Sequence, residues 1–76
     1  MKEYKLPEVL QDLITENNIS QRKLADKIDV TQSAVHRWLQ FKATPDIFHL
    51  MEIANYFDVS IDYLIFGEET SYQQVK

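Results

Sequence analysis

The chain has 76 residues with no cysteine, one glycine and two prolines, and eight Lys/Arg against twelve Asp/Glu leave a formal charge of −4. A domain of this size buries only about three fifths of its unfolded surface, so one core is the ceiling. Without thiols it has no disulfide framework or thiolate metal site, and a reducing cytoplasm suits it.

Residues 1–5 lead into no apolar stretch and the longest apolar run is residues 63–66, so neither a signal peptide nor a membrane span is expected. The scarcity of breakers and the lack of an Asn-Gly or Asp-Gly hairpin signal predict an all-α chain. Val9, Leu10, Leu13 and Ile14 form a stripe at helical spacing behind Pro7, which suits a first turn, with Glu8 and Asp12 early in the helix. Asn17-Asn18 ends it, because Asn tolerates left-handed geometry. Ser20 is expected to cap a short second helix with Leu24, Ala25 and Ile28 inward, and Thr31 a third with Val35, Trp38 and Leu39 inward. Thr44-Pro45-Asp46 opens a fourth, whose apolar face is Ile47, Leu50, Ile53, Ala54 and Phe57. Ser60 caps a fifth carrying Ile61, Leu64 and Ile65, and Gly67 stops it. The sequence thus predicts one five-helix domain over 1–67 and a frayed polar tail over 68–76.

The average charge argues against a polyanionic partner, but it hides a split. Residues 20–42 hold Arg22, Lys23, Lys27, Arg37 and Lys42 against Asp26 and Asp29, a local +3. The remainder holds three lysines against ten acids, or −7. The cationic block coincides with the second and third helices, which only Asp29-Val30-Thr31 separates. So tight a joint forces a steep crossing and needs a small residue at the approach, which Ala25 supplies, above a wedge of Leu24, Ile28, Val30, Val35 and Trp38. The outward residues of the third helix, Gln32, Ser33, His36, Arg37 and Gln40, are all polar. A polar outward face is ordinarily just a solvated one. On a helix held out by this joint, it also fits a DNA major groove.

The run Ile19-Ser20-Gln21-Arg22-Lys23-Leu24-Ala25, then Val30-Thr31-Gln32-Ser33-Ala34-Val35, then Trp38 and Pro45, resembles the lambda-repressor/Cro-like helix-turn-helix family, also called the XRE family. The ending Ala54-Asn55-Tyr56-Phe57-Asp58-Val59-Ser60-Ile61-Asp62-Tyr63-Leu64 resembles the family's usual close, so the likeness spans 19–67. It implies a compact five-helix lambda-repressor-like domain with the helix-turn-helix at 21–40. It also implies a bacterial or phage DNA-binding repressor that acts in the cytoplasm, occludes a promoter and needs no cofactor.

Carried over by position, the resemblance puts Gln32, Ser33, Arg37 and His36 at base edges. Gln pairs bidentately with adenine and Arg with guanine. Gln21, Arg22, Thr31, Lys42 and Thr44 would meet phosphates. Three residues depart from the family pattern. Asp29 stands where Gly is usual, and Leu39 and Phe41 stand where Glu and Gly are common. Asp can enter the left-handed region at a cost of about 1 kcal/mol relative to Gly. A bulky Phe is poorly suited to it, so the end of the third helix and the loop after it are expected to leave the family's path.

Leu39, Phe41, Phe48, Tyr56, Tyr63 and Phe66 exceed what a small core needs. Single exposed apolar side chains are ordinary; together they also make a self-association surface. The family habit of twofold dimers on palindromic double-stranded operators implies one, with Tyr63 and Phe66 favoured and Phe41 and Phe48 second. His36 and His49 lie on different helices without Cys or clustered carboxylates, so no metal site is expected. No nucleophile–base constellation or phosphate loop argues for an enzyme. The rival reading is a protein-binding module on the same scaffold, an antirepressor or antitoxin-like partner.

Overall fold

The computed structural model describes residues 2–69; of the frayed tail expected over 68–76, residues 70–76 lie outside them. The described residues form five helices and no strand: α1 (Leu6–Glu16), α2 (Gln21–Lys27), α3 (Gln32–Leu39), α4 (Ile47–Phe57) and α5 (Ile61–Phe66).

Each start has a local cause. Pro7 sits in the first turn of α1, where a missing N–H costs nothing. The other four helices begin on a side-chain cap. The amides of Lys23, Ala34, His49 and Tyr63 donate to Ser20 Oγ (3.0 Å), Thr31 Oγ1 (3.0 Å), Asp46 Oδ1 (2.9 Å) and Ser60 Oγ (2.9 Å). Each cap satisfies an N–H that has no partner inside its own helix.

The ends share one device. Asn18, Asp29, Phe41 and Asp58 all have φ between 55° and 61°, in the left-handed region. In each case the next amide reaches back across the turn: Ile19 to the Ile14 carbonyl (3.2 Å), Val30 to Ala25 (3.0 Å), Lys42 to Arg37 (2.9 Å) and Val59 to Ala54 (2.9 Å). This is the Schellman closure, which uses carbonyls the helix leaves unpaired. Only α5 ends on glycine, Gly67 at φ 77°. Three of the other four positions are Asn or Asp, the residues that tolerate this geometry best.

The fourth overturns an expectation. Although a bulky Phe is poorly suited to it, Phe41 adopts the left-handed conformation and the closure forms around it. The bond from Lys42 to Arg37, together with that of the Phe41 amide to the Trp38 carbonyl (3.4 Å), holds the turn despite the side chain.

The core joins all five helices. Leu6, Leu10, Leu24, Val35, Ile53 and Leu64 are fully buried, with Leu13, Ile14, Ala25, Ile28 and Trp38 nearly so. Helix α2 packs on α3, α1 lies against both α3 and α5, and α4 packs on α5. Among the described residues no buried side-chain polar atom lacks a partner.

One core assignment is corrected. Ile47, expected on the apolar face of α4, is 53% exposed. The buried residues of α4, Ile53 and Ala54, lie in its second half. Leu50 and His49 of its first turn pack inward, against the core and Trp38, while Ile47 turns to the surface. Helical spacing alone thus put Ile47 on a face that is not covered at its position.

Candidate nucleic-acid interface

The joint between α2 and α3 comprises residues 28–31, because Ile28 is already the C-cap of α2. Asp29 at φ 60° reverses the chain, Val30 closes the turn, and Thr31 caps α3. Ala25, 2% exposed, lies at the approach, and Leu24, Ile28, Val35 and Trp38 fill the wedge. Helix α3 is therefore fixed from behind by Val35 and Trp38. The Trp38 ring also meets the His49 imidazole (centroids 6.0 Å apart), tying α3 to α4.

The other side of α3 is open. Gln32, Ser33, His36, Arg37 and Gln40 are all exposed. Gln32 and Ser33 occupy its first turn, and His36 and Arg37 its last. Gln21, the first residue of α2, is half-buried, and Arg22 beside it is exposed. Thr31 accepts the Ala34 amide, which leaves its O–H free to donate. Lys42 and Thr44 are exposed on the α3–α4 loop. Backbone bonding connects that loop to the recognition surface, since the Lys42 amide closes onto Arg37.

The electrostatics separate this surface from the rest. The close oppositely charged contacts among the described residues are Lys2 with Glu68 (3.0 Å) and His49 with Asp46 (3.0 Å), the second an ion pair when the imidazole is protonated. Neither involves Arg22, Lys23, Lys27, Arg37 or Lys42. Among the described residues, all five cations of the basic block stand at the surface without a close ion-pair partner, a state that favours an external anion.

The aromatic set divides. Tyr63 packs against the core and Phe66 is half-buried with the Lys2 ammonium 5.8 Å from its ring centroid. Phe41 and Phe48 are 60% and 72% exposed. Phe48 belongs to a wider outward strip on α4 with Ile47 and Met51, and Phe48, Met51, Glu52 and Asn55 line a shallow groove of about 450 Å³. Sequence reasoning missed Ile47 and Met51 as surface residues, because an apolar residue at helical spacing carries no mark of which face is covered. It also missed Tyr4, which lies ahead of the first periodic segment. Among the described residues no group of three His, Cys, Asp or Glu gathers as a metal site would require, and no helix is long and apolar enough to cross a membrane.

A short helix pair closed by a tight turn, with its second helix buried behind and polar in front, defines a helix-turn-helix domain. Residues 10–64 match the helix-turn-helix family model. The chain belongs to that family, in its lambda-repressor-like XRE branch.

It is 39% identical over 62 residues to the HTH-type transcriptional activator BcrR of Enterococcus faecalis, covering 82% of this chain and 30% of that protein. It is 36% identical over 53 residues to an uncharacterised HTH-type transcriptional regulator, YqaE, of Bacillus subtilis strain 168, covering 70% of this chain and 46% of that one. The chain thus spans less than half the length of both relatives. Among solved structures, a transcriptional regulator from Listeria innocua superposes with a TM-score of 0.82 at 28% identity, over 91% of this chain and 64% of that one. The DNA-binding domain of the P22 C2 repressor shares the fold, with a TM-score of 0.78 at 20% identity over 93% and 95% of the two chains. The family and these neighbours are transcriptional regulators and DNA-binding domains, not enzymes.

Proposed function

We propose that this chain is a sequence-specific regulator that inserts α3 into the major groove of double-stranded operator DNA and represses by occluding a promoter. The observation that carries the reading is the open polar face of α3, Arg37 included, set on a buried backing, with the exposed cations of the basic block making no close ion pair among the described residues. Gln32, Ser33, Arg37 and His36 read base edges, with Gln matched to adenine and Arg to guanine. Gln21, Arg22, Thr31, Lys42 and Thr44 hold phosphates and set the register. Occlusion follows from a DNA-binding surface seated on its operator, and the Enterococcus relative is named an activator. An activator would use the same DNA contacts and differ in where its operator lies. As a DNA regulator the protein would act in the cytoplasm, from a bacterial or phage gene.

A palindromic operator bound by a twofold dimer completes the proposal, with recognition helices about 34–36 Å apart. The outward strip of α4 around Phe48 is better suited to that contact than Tyr63 and Phe66, whose surface is already partly covered. Phe41 lies outside this strip.

Selection of bound sequences from random duplex DNA, followed by titration across salt, tests the reading. An enriched two-half-site sequence, with log affinity falling linearly against log salt, is the expected result. No enrichment and a flat salt dependence would favour the rival, a protein-binding module using the exposed Ile47, Phe48 and Met51.

A further inference from the structure

Phe41 presents a physical puzzle. It is 60% exposed, so burial does not account for it, and it holds a left-handed conformation that bulky side chains avoid. What its ring meets is Tyr4, edge to face, with centroids 6.4 Å apart and planes at 77°. Tyr4 lies in the segment before α1, and that segment is anchored to the far end of the domain. The Lys5 amide donates to the Ile65 carbonyl (2.7 Å), and Lys2 pairs with Glu68. From this anchor Tyr4 reaches the start of the α3–α4 loop, where its ring meets Phe41. Lys42 follows Phe41 directly, exposed and, among the described residues, without an ion-pair partner.

We infer that Tyr4 is a positioning residue for DNA binding: its ring on Phe41 clamps the start of the α3–α4 loop so that Lys42, the next residue, is held ready for a phosphate. The inference rests on the DNA-binding reading above and adds to it a residue outside the helix-turn-helix. A free lysine on a loose loop must be ordered when it binds, and a clamped loop has already lost that freedom. The left-handed Phe41 is then the consequence of placing an aromatic ring where the anchored segment can grip it.

The test is a double-mutant cycle between Tyr4→Ala and Lys42→Ala, read by DNA affinity across salt, with thermal melts to confirm folding. Tyr4→Ala should weaken binding by about 2- to 12-fold, the equivalent of one aromatic pair. The loss should be alike for all sequences, with a shallower salt slope and unchanged base preference. In the Lys42→Ala background the same substitution should cost nothing further. Equal losses in both backgrounds, or no loss in either, would overturn the inference. Should Tyr4→Ala melt too early, Tyr4→Leu keeps apolar bulk beside Phe41 and serves in the same cycle.

A second readout does not depend on DNA. Exchange of the Lys42 amide in the free protein should quicken in the Tyr4 variant while that of Ile28 stays unchanged. If the parent chain binds no DNA, the functional reading fails first; if it binds and Lys42 exchange is unmoved, the clamp alone fails.

Discussion

Replacing Asp29 with glycine isolates the conformational cost at the centre of the helix-turn-helix. Asp29 holds φ at 60° and its side chain is exposed, so the substitution removes no packing. The closing bond from the Val30 amide to the Ala25 carbonyl (3.0 Å) involves backbone alone and persists. Left-handed geometry costs an L-residue about 1–2 kcal/mol, somewhat less for Asp. Glycine returns about 0.5–1 kcal/mol through its greater freedom in the unfolded chain. The net gain is about 0.5–1 kcal/mol, which in a domain of this size raises Tm by about 2–8 °C.

Charge works in both directions here. Asp29 stands at the negative end of α2 and just ahead of the positive end of α3, so the two helix-dipole effects largely cancel. Asp29→Asn is the control, because it removes the charge and keeps the tolerance for this geometry. Thermal unfolding by circular dichroism should show Gly rising and Asn close to the parent. An unchanged or lower Tm for Gly, or an equal rise for Asn, would refute the reasoning.

The remaining predictions concern DNA, capping, titration and the core. Arg37→Ala should cost about 1–3 kcal/mol of specific binding and relax one base position, whereas Lys42→Ala should weaken all sequences alike and reduce the salt slope by about one; titrations at several salt concentrations separate the two. Thr31→Ala removes the oxygen that accepts the Ala34 amide and should destabilise by about 1 kcal/mol in urea, with Thr31→Ser restoring most of it. Burial pushes the Tyr4 phenol above its ordinary value of 10.0, against the opposing hydrogen bond from Thr44. The folded state thus favours the neutral phenol. The stability linked to it is complete below pH 10 and is lost as pH rises through the higher folded value. Urea midpoints between pH 9 and 11.5 should fall more steeply in the parent than in Tyr4→Phe. Leu64, fully buried in the last helix, should cost about 2–5 kcal/mol when cut to Ala. That is a large share of the roughly 5–15 kcal/mol total typical of a domain, so chemical denaturation should show a much lower midpoint.

The elements were readable because their signals are local. Ser20, Thr31, Asp46 and Ser60 precede helical stripes and cap those helices through bonds three residues long. Asn18 and Gly67 stop helices by their own backbone preference. The helix-turn-helix was equally legible, since Ala25, Val35 and Trp38 lie within a run of residues whose spacing dictates the crossing. The polar face of α3 follows from the same spacing, because a helix with Val35 and Trp38 inward must put Gln32, Ser33, His36 and Arg37 outward.

Other features were decided only when distant segments met. Phe41 looked unfit for a left-handed turn, yet the turn forms, because intrinsic preference is a matter of about 1–2 kcal/mol and closure bonds and tertiary contacts can outweigh it. Ile47 fits the apolar stripe of α4, but a stripe records a face and not what lies opposite it, and nothing covers Ile47 itself. Tyr4 carried no sequence signal at all. Its contact with Phe41 spans roughly half the chain and exists only because the first segment is anchored beside α5.

Charge, where the reading began, divides in the same way. The sequence by itself located a +3 block within a chain of −4, since counting needs no fold. Only the tertiary structure decided that those five cations stand at the surface with no close ion-pair partner among the described residues, because pairing depends on which side chains approach within a few ångströms.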